Sequence, residues 1–371
     1  MQCLSGRPAK DEIRAAHIGQ RLSKMASLNG RFDGFVELLK ANLASPTDIE
    51  PSQISPRLIP VVAGTQQSDL FSAATLNWSV PVSRGFGRRL RYLVTDRQNG
   101  KLIGIFGLCD PVFNLRARDN WIGWSAAERC DRLVHAMDIF VLGAVPPYCS
   151  LLGGKLIALL AASKEVVEAF RKKYGSTPGT ISGTNKNAPL ALLTTTSALG
   201  RSSIYNRLAL PNSISYLSGH SKSHESLWYT QGYGHFHIDS RLFCLLQKHL
   251  QDVGHPYANG NRFGNGPNWK IRVIRQAARE LGLSEKTLYH GIRRQVFLVP
   301  LASNTREFLK GDARHPKYIT STISDTTGYW KERWGLPRAG RNTEWTQWEV
   351  DSFICDLTTL HARASENGSD T

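Results

Sequence analysis

The 371-residue sequence is poor in cysteine and contains no C-x-x-C pair. Its six cysteines are scattered, at positions 3, 109, 130, 149, 244 and 355. Zinc fingers and zinc ribbons need paired ligands at short, fixed spacings, so this pattern excludes them. Isolated thiols are also typical of a reducing compartment. We therefore expect reduced cysteines in a cytoplasmic protein.

Long hydrophobic runs are also missing. The longest apolar stretches, residues 139–145 and 156–162, are far shorter than the roughly 20 residues that cross a bilayer. The first residues, MQCLSGRPAKDEIR, have no apolar segment of the kind found in secretory signals. The sequence therefore predicts neither a membrane protein nor an exported one.

Acidic residues are scarce relative to basic ones. Thirty Asp and Glu stand against 46 Lys and Arg, which gives a net charge of +16. A positive field of this size attracts polyanions, and nucleic acid is the commonest polyanion in the cytosol. The composition thus predicts a nucleic-acid partner, with a basic surface that has no specific ligand as the alternative.

The patterning along the chain predicts three parts. Residues 1–60 are expected to form an N-terminal helical arm followed by a proline-rich linker over Pro46–Pro60. Residues 61–250 are expected to form an α/β core, and residues 251–371 a basic, mostly helical C-terminal region. In the core, Asn99-Gly100 joins two strands and predicts a hairpin with a type I′ turn. Ser125 and Glu128 predict a helix N-terminus with a capping box.

The core is expected to be a mixed sheet flanked by helices, because the elements follow in the order hairpin, helix, strand, glycine-opened helix, strand. One long helix is predicted from Gly153 to the closing Gly175. This order is similar to the core of the GNAT acyltransferases. That likeness implies that the turn Gly153, Gly154 and Lys155 could bind the pyrophosphate of acetyl-CoA with its backbone N–H groups. The alternative is a glycine turn that only allows close packing.

The C-terminal third carries a helix-turn-helix-like pattern over residues 268–301. A first helix would end at Gly282, and Ser284 would cap a second helix whose exposed face could enter a major groove. Ordinary helix packing is the alternative.

The same region is strongly basic. Between positions 262 and 341, sixteen Lys and Arg stand against six Asp and Glu, and Trp330 and Trp334 interleave with basic residues there. Cations beside aromatic rings suit nucleic-acid binding, although buried tryptophans would give the same pattern. The residues predicted to bind nucleic acid are Arg88, Arg89, Arg91, Lys270, Arg272, Arg275, Arg293, Arg294, Lys331, Arg333, Arg338 and Arg341.

The segment GYGHFHID, residues 232–239, has the residue types of a metal site. On a strand, His235, His237 and Asp239 would point to one face. Two imidazoles and a carboxylate can hold a divalent metal ion. The alternative is a structural or nucleic-acid-facing strand whose histidines pack and hydrogen-bond, and it is favoured because Asp239 is the only carboxylate nearby in the sequence.

Candidate catalytic residues are few. Asp110, Asp119 and Glu128 could join His235 and His237 in a metal-dependent nuclease site. Tyr205 could attack a phosphodiester, or act as an acid as in GNAT enzymes. The structural alternatives are a turn former for Asp110, an ion pair or cap for Asp119, a helix cap for Glu128 and core packing for Tyr205.

Five longer motifs resemble one family. They are GKLIGIFGLCDPVF, RDNWIGW, LGGKLIALLAAS, TTTSALGRSSIYNRL and YWKERWGLPR. The resemblance that they carry extends over residues 70–345. They resemble the DruA proteins of the Druantia anti-phage defence systems. The resemblance implies bacterial antiviral defence beside partners that include a large helicase-like protein, DruE. It implies no catalytic residues, so three classes of function stay open: a nucleic-acid-binding defence factor, a GNAT-type acyltransferase, and a metal-dependent nuclease or strand-processing enzyme.

Overall fold

A computed structural model describes residues 9–83, 85–176, 188–219, 227–235, 237–238, 240–259 and 267–369. The strands are β1 (Pro56–Pro60), β2 (Arg89–Asp96), β3 (Leu102–Cys109), β4 (Ala136–Ala144), β5 (Leu192–Thr196) and β6 (Val296–Pro300). Within the described residues the helices are α1 (Lys10–Ala16), α2 (Ile18–Ala26), α3 (Phe32–Asn42), α4 (Gln66–Ala74), α5 (Arg116–Ile122), α6 (Ala126–Arg132), α7 (Gly153–Ala161), α8 (Lys164–Tyr174), α9 (Ser240–Asp252), α10 (Pro267–Glu280), α11 (Thr305–Lys310), α12 (Ile323–Trp330), α13 (Leu336–Arg341) and α14 (Val350–Ser369).

The six strands lie in chain order across one mixed sheet, which confirms the predicted α/β class. Every neighbouring pair is antiparallel except β4 and β5, which are parallel. The parallel ladder joins only Ala136–Asp138 to Leu192–Thr194, although β4 continues to Ala144. The likeness to GNAT enzymes stays a prediction.

The hairpin of β2 and β3 forms where the sequence predicts it, but its turn differs. Gly100 has φ of +73°, and its amide donates to the carbonyl of Asp96 at 2.8 Å. Asn99 keeps a negative φ, so the type I′ prediction is wrong. The Asn99 side-chain amide instead donates to the Asp48 carbonyl at 2.9 Å and to the Tyr148 hydroxyl at 3.0 Å. These distant contacts hold the turn against the body of the protein.

Helices cover both faces of the sheet. On one face, Leu156 and Leu160 of α7 pack with Ile103 and Phe106 of β3 in the largest buried cluster. On the other face, α3, α4 and α14 cover β2 and β3, while α5 and α11 cover β5 and β6. The sheet is therefore the middle of three layers.

The N-terminal helices share a core with the sheet. Phe35 and Leu39 of α3 lie in one buried cluster with Leu93 and Leu102 of the sheet. The expected linker over Pro46–Pro60 contains β1, an edge strand with a proline at each end, where a missing N–H is tolerated. The linker prediction is therefore wrong for residues 56–60, and the three-part division of the chain stays a prediction.

The long helix predicted from Gly153 to Gly175 is divided in two. Ser163 is extended, with ψ of 162°, and precedes α8. The amide of Lys164 donates to the carbonyl of Ser321 at 2.9 Å instead of continuing a helix. The first amide of α8 is thus satisfied by a segment more than 150 residues away, and Gly175 stays right-handed at φ −59°.

Candidate nucleic-acid interface

Helices α9 and α10 form a hairpin with a core of its own. Phe243 and Trp269 meet edge to face with their ring centroids 5.4 Å apart. Leu250, Val273 and Ile274 are fully buried in the same cluster. The hairpin therefore holds α10 by one apolar face and leaves the opposite face exposed.

The exposed face of α10 is a row of arginines. Arg272, Arg275 and Arg279 are exposed and follow one another at spacings of three and four residues, so they lie on one side of the helix. Ala277 and Ala278 between them are buried. The only acidic residue of α10 is Glu280, whose Oε1 accepts from Gln276 at 2.8 Å. We name Arg272, Arg275 and Arg279 the arginine row.

The second helix of the predicted helix-turn-helix does not form. Gly282 has φ of +66° and the amide of Leu283 donates to the Ala278 carbonyl at 2.7 Å, which ends α10 as a glycine cap does. Ser284 does cap, but it caps one short 3-10 turn over Glu285–Leu288. Beyond this turn the chain is not helical: Tyr289 bridges Tyr233, Gln295 bridges Tyr229, and Gly291 between them has φ of +78°. The prediction of a recognition helix is wrong, and α10 is the helix of this region that can present a face to nucleic acid.

Arg293 and Arg294, both predicted to bind nucleic acid, differ in exposure and in their partners. Arg293 is exposed, with its guanidinium 5.4 Å from the ring centroid of Tyr229. Arg294 is half-buried, and its Nη2 lies 3.3 Å from Nε2 of His17. Arg293 is therefore positioned to meet a ligand, whereas Arg294 joins the N-terminal helices to the segment before β6.

Arg88 and Arg91 are used within the fold. Arg88 pairs with Asp110 at 2.7 Å and donates to the Val134 carbonyl at 2.9 Å. Its backbone amide also donates to Asp110, so this carboxylate is fully engaged in holding the chain before β2. Arg91 lies over the Phe71 ring at 5.6 Å. These contacts give both arginines, and Asp110, a structural role.

Arg89 remains exposed and belongs to a second basic surface that sequence reasoning missed. The hydroxyl of Tyr174 accepts from the Arg89 amide at 2.8 Å and donates to its carbonyl at 2.9 Å. This pair brings the exposed end of α8, with Arg171, Lys172 and Lys173, beside Arg89. The run RKK at a helix end was a visible signal, but nothing in the sequence joined it to position 89.

The predicted basic residues of the C-terminal region also fall into two groups, those bonded within the fold and those that are exposed. Lys331 donates to the Ser52 carbonyl at 2.6 Å, and Arg338 donates to the Ser150 carbonyl at 3.1 Å. Arg333 and Arg341 are exposed. Lys270 is half-buried, with its ammonium 5.0 Å from the centroid of the Phe243 ring. Two of these five residues, Lys331 and Arg338, therefore fasten the C-terminal helices to the body.

Two further acidic residues of the predicted nuclease site, Asp119 and Glu128, each have a different structural role. Asp119 pairs with the fully buried Arg118 at 2.7 Å and with Arg129 at 3.1 Å. Glu128 forms the predicted capping box with Ser125, and the hydrogen bond from the Ser125 backbone lowers the pKa of Glu128. None of these contacts joins Asp119 or Glu128 to Asp110.

Tyr205 lies in the core. Its ring stacks on Tyr216 at 5.3 Å and packs on Phe297 at 5.1 Å. Burial raises its pKa to about 12, which disfavours the phenolate that a nucleophile needs. The packing alternative accounts for its position.

The residues of GYGHFHID that the structure describes, 232–235 and 237–238, form no strand. Tyr233 makes a single bridge to Tyr289, and His235 and His237 lie in turns before α9. The Nε2 of His237 is 2.7 Å from the Thr287 carbonyl oxygen. Asp239 lies outside the described residues. Among those described, no three His, Cys, Asp or Glu side chains form a group that could hold a metal ion.

His290, which lies next to this segment, makes the stability of the fold depend on pH. Its Nδ1 accepts from the Ile292 amide at 3.1 Å, and burial, followed by the charge of Arg294, lowers the pKa of His290 to about 4. The neutral ring therefore stabilises the fold fully above pH 6.5, and this contribution is lost as the pH falls through 4.

We expect the unfolding free energy of the wild type to fall by about 1–3 kcal/mol between these pH values. His290→Asn keeps an acceptor without a titrating ring, so it should lose less. Urea unfolding of both proteins across this range measures the difference, and identical pH profiles would contradict the role of His290.

The glycine turn before α7 is filled by the protein itself. The Gly153 amide donates to the Tyr148 carbonyl at 2.9 Å, and a Cβ at Gly153 would lie 2.6 Å from that oxygen. Lys155 donates to the Ile204 carbonyl at 2.9 Å. These contacts do not fit a pyrophosphate, and the close-packing alternative explains the two glycines.

One carboxylate that sequence reasoning missed lies where the β4–β5 ladder ends. Asp138 is half-buried, and its Oδ1 accepts from the Thr194 hydroxyl at 2.7 Å. Burial raises the pKa of Asp138 to about 6, so it can exchange a proton near neutral pH. No pattern around position 138 distinguished it from an ordinary strand residue.

Across the part of the chain that the structure describes, none of the helices is long and apolar enough to cross a membrane.

Residues 7–311 match the family described as Druantia protein DruA. The chain is similar to a Druantia protein DruA of Escherichia coli (strain UMEA 4076-1), with 47% identity over 347 residues, 92% of this chain and 83% of the relative. No solved structure matches it. With both the family match and this relative covering most of its length, the chain belongs to the DruA family of the Druantia anti-phage defence systems.

Proposed function

We propose that this protein is the DNA-binding component of its defence system, and that it acts together with a helicase-containing complex. The arginine row is the proposed contact surface. Arginine donates to phosphate through a planar, permanently charged group, so a row of three can follow a nucleic-acid backbone. Arg293 and the surface of Arg89 with Arg171, Lys172 and Lys173 would extend the contact.

The single observation that carries the proposal is the two-sided character of α10. Its apolar side is buried against α9, and its other side presents arginines at helical spacing. Solvated helix faces commonly mix both signs of charge, whereas the exposed residues of α10 between 269 and 280 are three arginines and one acidic residue, Glu280, at the end of the helix. Such a face suits phosphates and gives little base-specific reading.

Binding to short duplex DNA, single-stranded DNA and RNA, measured by fluorescence anisotropy over a salt series, tests the proposal. We expect duplex DNA to bind, with an affinity that falls steeply as salt rises because counterions are released from the phosphates. A flat salt response, or no binding at low salt, would overturn the proposal.

The helicase partner comes from the family resemblance alone. It is tested by co-purification of the tagged protein with the other proteins of its system, with and without nuclease treatment. Acyl transfer and metal-dependent cleavage stay predictions, because no arrangement among the described residues favours either.

A further inference from the structure

A groove of about 640 Å³ lies over β1 and β2, apart from the arginine row. The end of α3 forms one wall and the start of α4 forms the other. Sites for small ligands commonly have volumes of about 300–1,000 Å³, so the groove is large enough for a ligand of nucleotide size. Neither the nucleic-acid surface nor any predicted catalytic residue contributes to it.

The floor of the groove changes from apolar to cationic along the strands. Ile59 pairs with Leu93, and Arg57 pairs with Thr95. Arg97 follows Thr95 by two residues, and Ile59, Leu93, Arg57, Thr95 and Arg97 all line the groove. Side chains two residues apart on a strand point to the same face, so Arg57 shares a face with Ile59 and Thr95 shares one with Leu93, while Arg97 lies in the turn after β2. An apolar surface therefore leads to a hydroxyl and then to two exposed arginines.

The acidic residue in the lining is already engaged. Asp96 is fully buried and accepts from the Ser55 amide at 2.8 Å, the Gln98 side chain at 2.6 Å and the Tyr148 hydroxyl at 2.9 Å. These neutral donors hold the carboxylate in place inside the fold, and its single negative charge faces the two positive charges of Arg57 and Arg97. The arginines leave this end of the groove positive.

The walls offer both apolar contacts and amides. Leu38 and Leu70 continue the apolar floor upward. Asn42, Gln66 and Gln67 also line the groove. The Asn42 amide nitrogen donates to the Leu38 carbonyl at 2.8 Å, which leaves its Oδ1 as an acceptor. Amide groups above an apolar surface can recognise the edge of a planar base.

We propose that this groove binds a nucleotide, with its base against Ile59 and Leu38, which keep part of their surface exposed, and its phosphate between Arg57 and Arg97. The assignment goes beyond DNA binding by α10 and does not depend on it. A free nucleotide and the phosphorylated end of a nucleic-acid strand share this chemistry, and the test separates them.

Isothermal titration of the full chain with ATP, adenosine and tripolyphosphate tests the site. We expect ATP to bind at least about tenfold more tightly than adenosine or tripolyphosphate, because only ATP uses both ends of the groove. The double variant R57Q/R97Q should weaken ATP about tenfold or more. The charge-matched control R116Q/R314Q changes exposed arginines on other elements and should bind as the wild type does.

A second variant blocks the groove without changing its charge. Ala41 is exposed and lines the groove, so Ala41→Trp should fill it and abolish ATP binding in a folded protein. No heat with millimolar ATP, equal binding of ATP and adenosine, or wild-type affinity in either R57Q/R97Q or A41W would overturn the proposal.

Competition against labelled ATP separates the two sources of nucleotide. It is measured in the variant R272Q/R275Q/R279Q, so failure of the α10 surface cannot affect the result. If a 5′-phosphorylated oligonucleotide displaces ATP and its unphosphorylated form does not, the groove takes a strand end. If neither displaces ATP, the groove takes a free nucleotide. Equal displacement by both forms would contradict the phosphate contact of Arg57 and Arg97.

Discussion

Replacing Arg272, Arg275 and Arg279 together by glutamine should weaken DNA binding roughly 100-fold or more at about 100 mM salt. Each arginine on the exposed face of α10 is expected to neutralise one phosphate, and glutamine removes the charge while keeping a polar, helix-compatible side chain. The buried face with Val273 and Ile274 is untouched, so the hairpin should stay folded. Fluorescence anisotropy with a duplex of fixed sequence measures the loss.

The control for this variant is R116Q/R207Q/R314Q, which removes three exposed arginines elsewhere. It lowers the net charge of the protein by the same amount. If the two triple variants lose affinity equally, DNA responds only to the overall charge, and the arginine row has no special role. Circular dichroism of both variants confirms that helix content is unchanged.

Arg118→Ala should lower the unfolding free energy by about 3–5 kcal/mol. Arg118 is fully buried, donates to the carbonyls of Val112 and Phe113 at 2.8 and 2.7 Å, and pairs with Asp119. Alanine leaves those carbonyls without their donor and Asp119 with only one of its two arginines. Urea unfolding followed by tryptophan fluorescence measures the change.

Arg129→Gln is the matched control, since Arg129 also pairs with Asp119 but lies nearer the surface. It should cost markedly less than Arg118→Ala. A loss below about 0.5 kcal/mol for Arg118→Ala, within the range of surface substitutions, would contradict the structural role assigned to this ion pair. The motif RDNWIGW would then need a functional explanation.

Local patterns in the sequence predicted local structure well. Asn99-Gly100 marked a real hairpin, and Ser125 with Glu128 marked a real capping box. Both features depend on residues within a few positions of one another. The family was also recognisable, because its motifs are long and contiguous.

Features that depend on distant partners could not be predicted in this way. The long helix is interrupted at Ser163, where Lys164 bonds to Ser321, and in place of the expected recognition helix Tyr289 and Gln295 bridge Tyr233 and Tyr229. For the same reason Arg88 looked like a surface cation until the fold brought it to Asp110. The arginine row was predicted in part, since Arg272 and Arg275 were named but Arg279 was not.

The salt dependence of DNA binding, compared between the wild type and R272Q/R275Q/R279Q, tests the central claim most directly. Each neutralised phosphate of duplex DNA contributes about 0.9 to the slope of log K against log salt concentration. If the arginine row contacts three phosphates, the slope of the variant should be shallower by about 2–3. Equal slopes for the two proteins would contradict the claim that α10 binds the DNA backbone.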